Sequence, residues 1–575
     1  LSSTLLPVLA VWLLKDEGAH APGFFAQVKA RYEAILDAVL ERKAVVVLGG
    51  VALAAAFIAV LGPQLGREIF PPANNGQLQV RLRAPAGTKL DKTEQIALRA
   101  LEVIKQELGA ENIGTTLGLV GVHAPNYPVN LVHAWNSGTD EATLQVQLKA
   151  DAKVDLDAAK ENLRRRLGAA MPDVRLSFEP ADIVSRVMSF GAPTPIEIAV
   201  SGPSLADNRA HAEAVRAELA KIPELRDLQF AQTIDTPALE VNINREKAGL
   251  MGIRMADAAR SVIEATGSSR FILANYWADP KTGVAFQVQV QVPAAATKSI
   301  EDLRNLPVGT AGQQPVLLRS IASLKEGVAV AQYDRYNMQR LATLTANYAG
   351  TDLGHLADRI DAAIAAAGKP PAKVKVDQRG QVPPLRELLN GLGGGLAIAL
   401  VIVALLLAAN FQSVRLAAIV LASLSVVIAG VIAALLLTGS TLNIESFIGA
   451  IMAVGVAVAN SILLLTAAEE ARRGGASSAD AARQAGATRL RAILMTSLAM
   501  LAGMIPMALG WSEAGSQTAP LGRAVMGGLL FGTVATLTFV PALYAWIMTD
   551  VGRASHSVDP DDTQSTHYHK DHAVS

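Results

Sequence analysis

The sequence contains no cysteine in its 575 residues. Disulfides, thiol nucleophiles and cysteine metal sites are therefore excluded, and an oxidising compartment is tolerated without being demonstrated. Net charge is missing too. The 51 Lys and Arg balance 51 Asp and Glu, so composition makes no case for a nucleic-acid partner. No GxxxxGK[ST] loop occurs, nor an HExxH pair or a nucleophile elbow. ATP hydrolysis, zinc-protease chemistry and serine-hydrolase chemistry thus have no carrier, and no cofactor is expected.

What the chain has is apolar length. Half of it is hydrophobic, and the mean hydropathy is +0.31. The opening "LSSTLLPVLAVWLL" carries no charge before Lys15 and lacks the basic start of a secretory signal. Residues 1–14 read as the end of a transmembrane helix that begins outside this chain, which would then be a fragment or one half of something larger. A buried N-terminal helix is the alternative. Residues 44–62 read as a complete transmembrane helix: the apolar run Ala44–Leu61 lies between Arg42–Lys43 and Pro63, and its eighteen residues at about 1.5 Å each nearly cross a hydrocarbon core. Five more runs, at about 393–409, 415–437, 444–467, 490–510 and 524–548, place five transmembrane helices in 391–550.

Loop charges alternate. Residues 15–43 and 468–491 are rich in Lys and Arg, whereas 438–446 and 511–522 have none. The positive loops predict cytoplasmic connections, which puts the long polar region outside. Within 15–43, "FFAQVKARYEAILDAVLER" spaces its apolar residues as an amphipathic helix on the cytoplasmic membrane surface. The polar region alternates strand-like stretches such as 76–84, 142–150, 173–180, 195–203 and 340–348 with single helices. That rhythm predicts ferredoxin-like β-α-β subdomains, one of them completed by a later return of the chain. The expected fold class is a polytopic α-helical membrane protein with a large α+β periplasmic domain.

Four stretches carry a family resemblance: "GREIFPPANNGQLQVRLRAPAGT" (66–88), "NREKAGLMGI" (244–253), "RLRAILMTSLAMLAGMIPMALG" (489–510) and "PLGRAVMGGLLFGTVATLTFVPALY" (520–544). They resemble the C-terminal half of resistance-nodulation-division (RND) efflux transporters of the hydrophobe/amphiphile exporter type, the acriflavine-resistance-like permeases. The resemblance covers essentially 1–550. It implies a homotrimer in a Gram-negative inner membrane, working with a missing N-terminal half, a periplasmic adaptor and an outer-membrane channel. It also implies a porter subdomain at 63–189, a second porter subdomain split between 190–233 and 327–390, and a docking subdomain at 234–326.

Without an ATP site, transport would need an ion gradient, with protons as the coupling ion. An intramembrane ionisable group is the usual device, yet no Asp, Glu, Lys or His stands mid-span. The resemblance places paired aspartates in the other half. It assigns relay roles here to Arg489, Thr496 and Asn460, and its relay lysine falls on Ala459. Arg489 is otherwise an anchor in a basic loop, Thr496 a packing hydroxyl and Asn460 an interhelical hydrogen-bonding residue. The small residues Gly449, Ala453, Ala457 and Gly455, Ala459 form two i,i+4 series that suit close helix packing. Gly393, Gly394 and Gly395 form a hinge where the external domain meets the next span, or a small-residue packing face.

The stretch 119–135 corresponds to the family's phenylalanine-rich pocket but has no phenylalanine. His123, Tyr127 and Trp135 are the substrate-pocket candidates, with an ordinary loop as the alternative. The tail 551–575 holds four histidines and reads as disordered and cytoplasmic rather than as a metal site. The expected function is proton-driven export of amphiphilic or toxic small molecules, by alternating access within a membrane-lipid bilayer. A same-fold exporter of lipids, metabolites or metal ions is the alternative, and a non-transporting structural or adaptor subunit is the rival from another class.

Overall fold

The computed structural model describes residues 24–71, 76–122, 136, 138–152, 154–181, 183–293, 299–511 and 515–549. The partial opening span, the pocket candidates His123, Tyr127 and Trp135, and the C-terminal tail lie outside the described residues.

The first described element is α1 (Phe24–Glu41), which turns at Arg42 into α2 (Lys43–Leu61). Next come β1 (Gln77–Arg83), α3 (Leu90–Leu108), β2 (Ile113–Val120), β3 (Glu141–Leu148), α4 (Leu156–Ala170) and β4 (Arg175–Glu179). Their sheet runs β2-β3-β1-β4 with every neighbour antiparallel, the ferredoxin-like order. Period-two alternation explains it. Leu78, Val80 and Leu82 pair across to Val146, Leu144 and Ala142 and all turn to one face. Onto that face α3 lays Ala97, Ala100, Ile104 and Leu108, and α4 lays Leu156, Ala159, Leu163 and Leu167. The Asp155 side chain accepts from the amides of Asp157 and Ala158 and so starts α4.

A second unit repeats the plan from two separate stretches. β5 (Ile196–Gly202), α5 (Leu205–Leu219) and β6 (Leu225–Phe230) come first. The chain then leaves through β7 (Thr236–Ile243) and visits two hairpins, β8 (Asn275–Ala278) with β9 (Ala285–Val288) and β10 (Pro307–Ala311) with β11 (Gln314–Leu317). It returns along β12 (Ala322–Ala329), paired with β7 from Thr236 opposite Ala329 to Ile243 opposite Ala322. β13 (Asp334–Tyr336), β14 (Gln339–Tyr348), α6 (Leu353–Ala366) and β15 (Lys375–Gly380) complete the sheet, in which β14 pairs with β5, β6 and β13.

The remaining elements are α7 (Val382–Phe411), α8 (Val414–Leu437), α9 (Ile444–Arg473), α10 (Ser478–Leu509), α11 (Gly515–Val534), a π-turn (Ala535–Phe539) and α12 (Val540–Ile547). Six helical segments among the described residues are long and apolar enough to cross a membrane. Capping fixes where two of them begin. Asn443 and Ser446 form a capping box that starts α9 at its apolar run, and Ser477 accepts from the Asp480 amide to begin α10 twelve residues before the apolar run.

α11 is the hub, and its glycines are the reason. A methyl at Gly528 would stand 2.5 Å from Ala453 Cβ of α9, and one at Gly522 would stand 2.7 Å from the Ala508 nitrogen of α10. On α8, a methyl at Gly430 would stand 2.7 Å from the Gly527 carbonyl oxygen. Small residues thus bring three neighbours within backbone contact of one helix. Gly449, Ala453 and Ala457 of α9 lie on this packed face. Gly455 and Ala459 do not: Gly455 faces open space and Ala459 is exposed, so the second small-residue series is left uncovered among the described residues. Gly393, Gly394 and Gly395 sit inside continuous α7 helix, and a methyl on any of them would touch nothing within 4 Å.

The soluble and membrane parts are laced together at one junction. The Leu442 amide donates to the Gly66 carbonyl, the Glu68 amide to the Leu442 carbonyl, and the Gly354 amide to the Arg67 carbonyl.

Candidate functional site

Two places gather polar chemistry, one inside the helical bundle and one between the two sheets. In the bundle, α9 and α11–α12 run parallel in steady register. Gly449 lies against Ala524, Ala453 against Gly528 and Ala457 against Gly532, and further on Glu469 meets Tyr544. Asn460 and Ser461 of α9 follow this seam and are buried, as are Ser497 of α10 and Thr533 and Thr536 on the other side. The Thr533 hydroxyl bonds Ser497 Oγ at 2.7 Å and the Leu529 carbonyl. The Ser461 and Thr536 hydroxyls have no hydrogen-bond partner among the described residues. Apolar surroundings penalise such groups, so a row of them marks a place built for something other than packing.

The three relay candidates separate. Asn460 is buried on α9 beside that row. Thr496 is exposed on α10, and its hydroxyl folds back onto the Ala492 and Ile493 carbonyls of its own helix. Ala459 of α9 is exposed as well. Arg489, two turns nearer the far end of α10, is half-buried, and its Nε is buried without a hydrogen-bond partner. No hydrogen bond or ion pair joins the three among the described residues.

Sequence reading missed a second polar group. Glu469 and Arg472 look like loop-flanking charges, yet both are buried at the end of α9. Arg472 donates from Nε and Nη2 to the two Glu469 oxygens at 3.1 and 2.8 Å, and the Tyr544 hydroxyl donates to Glu469 Oε1 at 2.7 Å. The i,i+3 Glu–Arg spacing was the available signal.

Between the sheets lies a cleft of about 920 Å³. Its walls carry Glu68, Asp155, Asp157, Glu161 and Glu179 against only Lys160 and Arg164, interleaved with Phe70, Phe178, Met188 and Tyr348. Arg164 is occupied by Asp227 at 2.9 Å, and Lys160 by Asp157 at 3.1 Å. Glu68 sits where the cleft meets the junction. Burial pushes its pKa up to about 7, a rise that the Thr441 hydroxyl bond opposes and the nearby Asp352 and Asp157 charges reinforce. Burial likewise raises the pKa of Glu179, against the pull of Arg81 and Gln79. Among the described residues, no group of three or more His, Asp or Glu is close enough to hold a metal ion.

Comparison with known proteins places this geometry. Residues 1–548 match the AcrB/AcrD/AcrF family. The cation efflux system protein CzcA of Alcaligenes sp. (strain CT14) is 26% identical over 98% of this chain and 52% of its own length. The nickel-cobalt-cadmium resistance protein NccA of Alcaligenes xylosoxydans xylosoxydans is 24% identical over 95% of this chain and 50% of its own. The swarming motility protein SwrC of Bacillus subtilis (strain 168) is 24% identical over 95% of this chain and 50% of its own. The crystal structure of a heavy metal efflux pump superposes with a TM-score of 0.79 over 95% of this chain and 53% of that one, at 23% identity. The chain therefore spans about half the length of the curated relatives it matches. Two of these named relatives are a cation efflux protein and a metal-resistance protein rather than hydrophobe/amphiphile exporters, so the expected family holds at the level of the RND transporters. Six long apolar helices, two ferredoxin-like sheets and the family match along almost the whole chain lead to one conclusion: this chain belongs to the AcrB/AcrD/AcrF family of RND transporters, which are not enzymes.

Proposed function

We propose that this chain is the C-terminal half of a proton-driven exporter whose cargo is a divalent heavy-metal cation. The acidic cleft carries the reading. Of its five carboxylates, Asp157, Glu161 and Glu179 pair with Lys160, Arg226 and Arg81, whereas Glu68 and Asp155 have no cationic partner among the described residues, so the cleft favours a positively charged occupant. Glu68 gives that preference a means of release, since a carboxyl titrating near neutrality exchanges a cation for a proton at modest cost. The names of the CzcA and NccA relatives point the same way. Ala459 on α9 and Thr496 on α10 are both exposed, which suits coverage of these helices by the other half, which would bring the acidic members of the relay. Inner-membrane placement, trimer formation, and an adaptor and outer-membrane channel as partners belong to the same proposal. So do the porter and docking roles of the soluble units.

Amphiphilic cargo is the second reading, favoured by Phe70, Phe178, Met188 and Tyr348 in the same cleft. A sensitive host carrying the complete gene, challenged with zinc, cobalt, cadmium and nickel salts alongside dyes and bile salts, separates the two. Metal tolerance that falls in Glu68→Gln is expected. Tolerance to dyes and bile salts alone overturns the metal assignment.

A further inference from the structure

Tyr32 is 8% exposed although it stands on the amphipathic helix α1. Its hydroxyl donates to the Leu537 carbonyl across 2.9 Å of buried space. Leu537 lies at the centre of the π-turn Ala535–Phe539. In an α-helix that carbonyl would be met by the amide four residues on, but residue 541 is proline and has no N–H. Pro541 thus removes the α-helical donor, and Tyr32 supplies one from another helix. The approach requires Gly486 of α10, where a methyl would collide with the Tyr32 hydroxyl and stand 3.0 Å from Leu36 Cδ2.

The π-turn also aims side chains. One inserted residue rotates the helix beyond it by roughly 100°. Thr533 precedes the turn and bonds Ser497, whereas Thr536 lies within it. Thr536 and Ser461 are 1% and 0% exposed, and neither hydroxyl has a partner among the described residues. The parallel register of α9 with α11–α12 sets them on one seam, next to Asn460.

We infer that Tyr32 is a positioning residue for transport: its bond to Leu537 fixes the π-turn in the register that presents Thr536 to Ser461 and Asn460. The surface helix and the intramembrane polar row then move as one body. This role rests on the transporter reading above, so its test has an arm that needs no cargo.

The experiment uses the complete transporter in lipid nanodiscs and measures amide hydrogen exchange over 534–542, together with the rate and KM of metal transport in proteoliposomes. Tyr32→Phe keeps the ring and its packing. Exchange in the π-turn is expected to quicken on the order of fivefold, the loss of one buried hydrogen bond. The maximal rate is expected to fall on the order of tenfold at unchanged KM and unchanged abundance. In Pro541→Ala the restored amide can serve Leu537, so adding Tyr32→Phe there should change neither readout further. Wild-type exchange in Tyr32→Phe overturns the clamp. Quickened exchange with wild-type transport overturns the positioning role and leaves Tyr32 a packing contact. A wild-type protein that moves no metal overturns the transport reading and with it that role, and the exchange arm, read without cargo, tells the two failures apart.

Discussion

The Tyr544 hydroxyl reaches across the bundle to Glu469 Oε1 at 2.7 Å, and Arg472 grips both oxygens of the same carboxylate. All three are at least nine-tenths buried, so the group is an ion pair with a third donor in an apolar setting. Removing one member leaves a charge unmatched. Glu469→Ala is expected to cost about 3–5 kcal/mol because Arg472 then stays buried alone. Tyr544→Phe, which loses one bond to a charged acceptor, should cost about 1.5–3 kcal/mol. Thermal unfolding in detergent checks the order, and a Glu469→Ala protein as stable as the wild type would dismiss the cluster as a structural tie.

Helix packing around α11 yields a contrast. Gly528→Ala pushes a methyl to 2.5 Å from Ala453 Cβ, in a contact with no slack, and should cost about 1–3 kcal/mol. Gly455→Ala, on the same α9 face as Ala459, meets open space and gains helix propensity of up to about 1 kcal/mol. Monodispersity and melting temperature of the two variants should therefore move in opposite directions.

His355 yields a pH prediction. Its Nδ1 faces Asp352 Oδ2 at 2.5 Å and its Nε2 faces the Pro63 carbonyl at 2.9 Å. Both partners accept, so only the imidazolium satisfies both. The Asp352 and Pro63 bonds raise the His355 pKa, despite partial burial and the Arg67 charge. Burial works against the Asp352 carboxylate, but the Arg67 and His355 amides and the His355 ring outweigh it and lower its pKa. The raised histidine contributes stability that is present below its unfolded pKa and lost as pH rises through the folded value. The depressed aspartate contributes stability that is lost as pH falls through its own folded value. The strap from Pro63 to α6 should thus be firmest on the mildly acidic side of neutrality. His355→Gln should flatten that part of the stability–pH profile, and an unchanged profile would refute the strap.

The glycines of α7 test a mechanical idea. Gly393, Gly394 and Gly395 lie in unbroken helix with open space around them, so packing among the described residues does not require them. Their remaining cost is helical stability, about 0.8–1.0 kcal/mol each relative to alanine. Replacing all three with alanine should leave abundance intact and slow transport, as expected if this segment must unwind. Transport at the wild-type rate would assign the glycines to contact with another chain.

Legibility followed the physics of each element. Membrane helices announce themselves because an apolar run of bilayer length has few other uses. The strands at β1, β3, β5 and β14 were legible from period-two alternation with β-branched or leucine residues. β2 was not, because Gly114 and Gly118 break its pattern at the sheet edge, and β6 was not, because "LRDLQF" alternates weakly and carries Arg226 and Asp227 for contacts to the first unit. The stretch 284–293 alternates well, yet forms strand only over Ala285–Val288, since a two-stranded hairpin offers little to extend along. At the site, Asn460 was visible as a lone amide in an apolar run. The acidic cleft was not, because Glu68, Asp157 and Glu179 come from separate segments that only the packing of two sheets brings together. The Tyr32 contact with Leu537 spans most of the chain and has no local signature.

Arg489 carries the last prediction. It is half-buried on α10, forms no ion pair among the described residues, and keeps a buried Nε without a partner. An anchor in a basic loop would instead extend into water or pair with a loop carboxylate, as Arg483 does with Asp37 at 2.8 Å. A buried Nε without an acceptor is poised for a partner from outside this chain, since a buried donor left unpaired costs free energy until one arrives. In the complete transporter, Arg489→Ala should therefore reduce export to background while membrane abundance stays at the wild-type level. Arg489→Lys keeps the charge but not the planar fork, so it should recover only part of the rate and shift its pH dependence. Arg483→Ala, on the exposed pair, should leave export unchanged. Equal activity in Arg489→Ala and the wild type would return Arg489 to the role of an anchor and move the search for the relay cation to the other half.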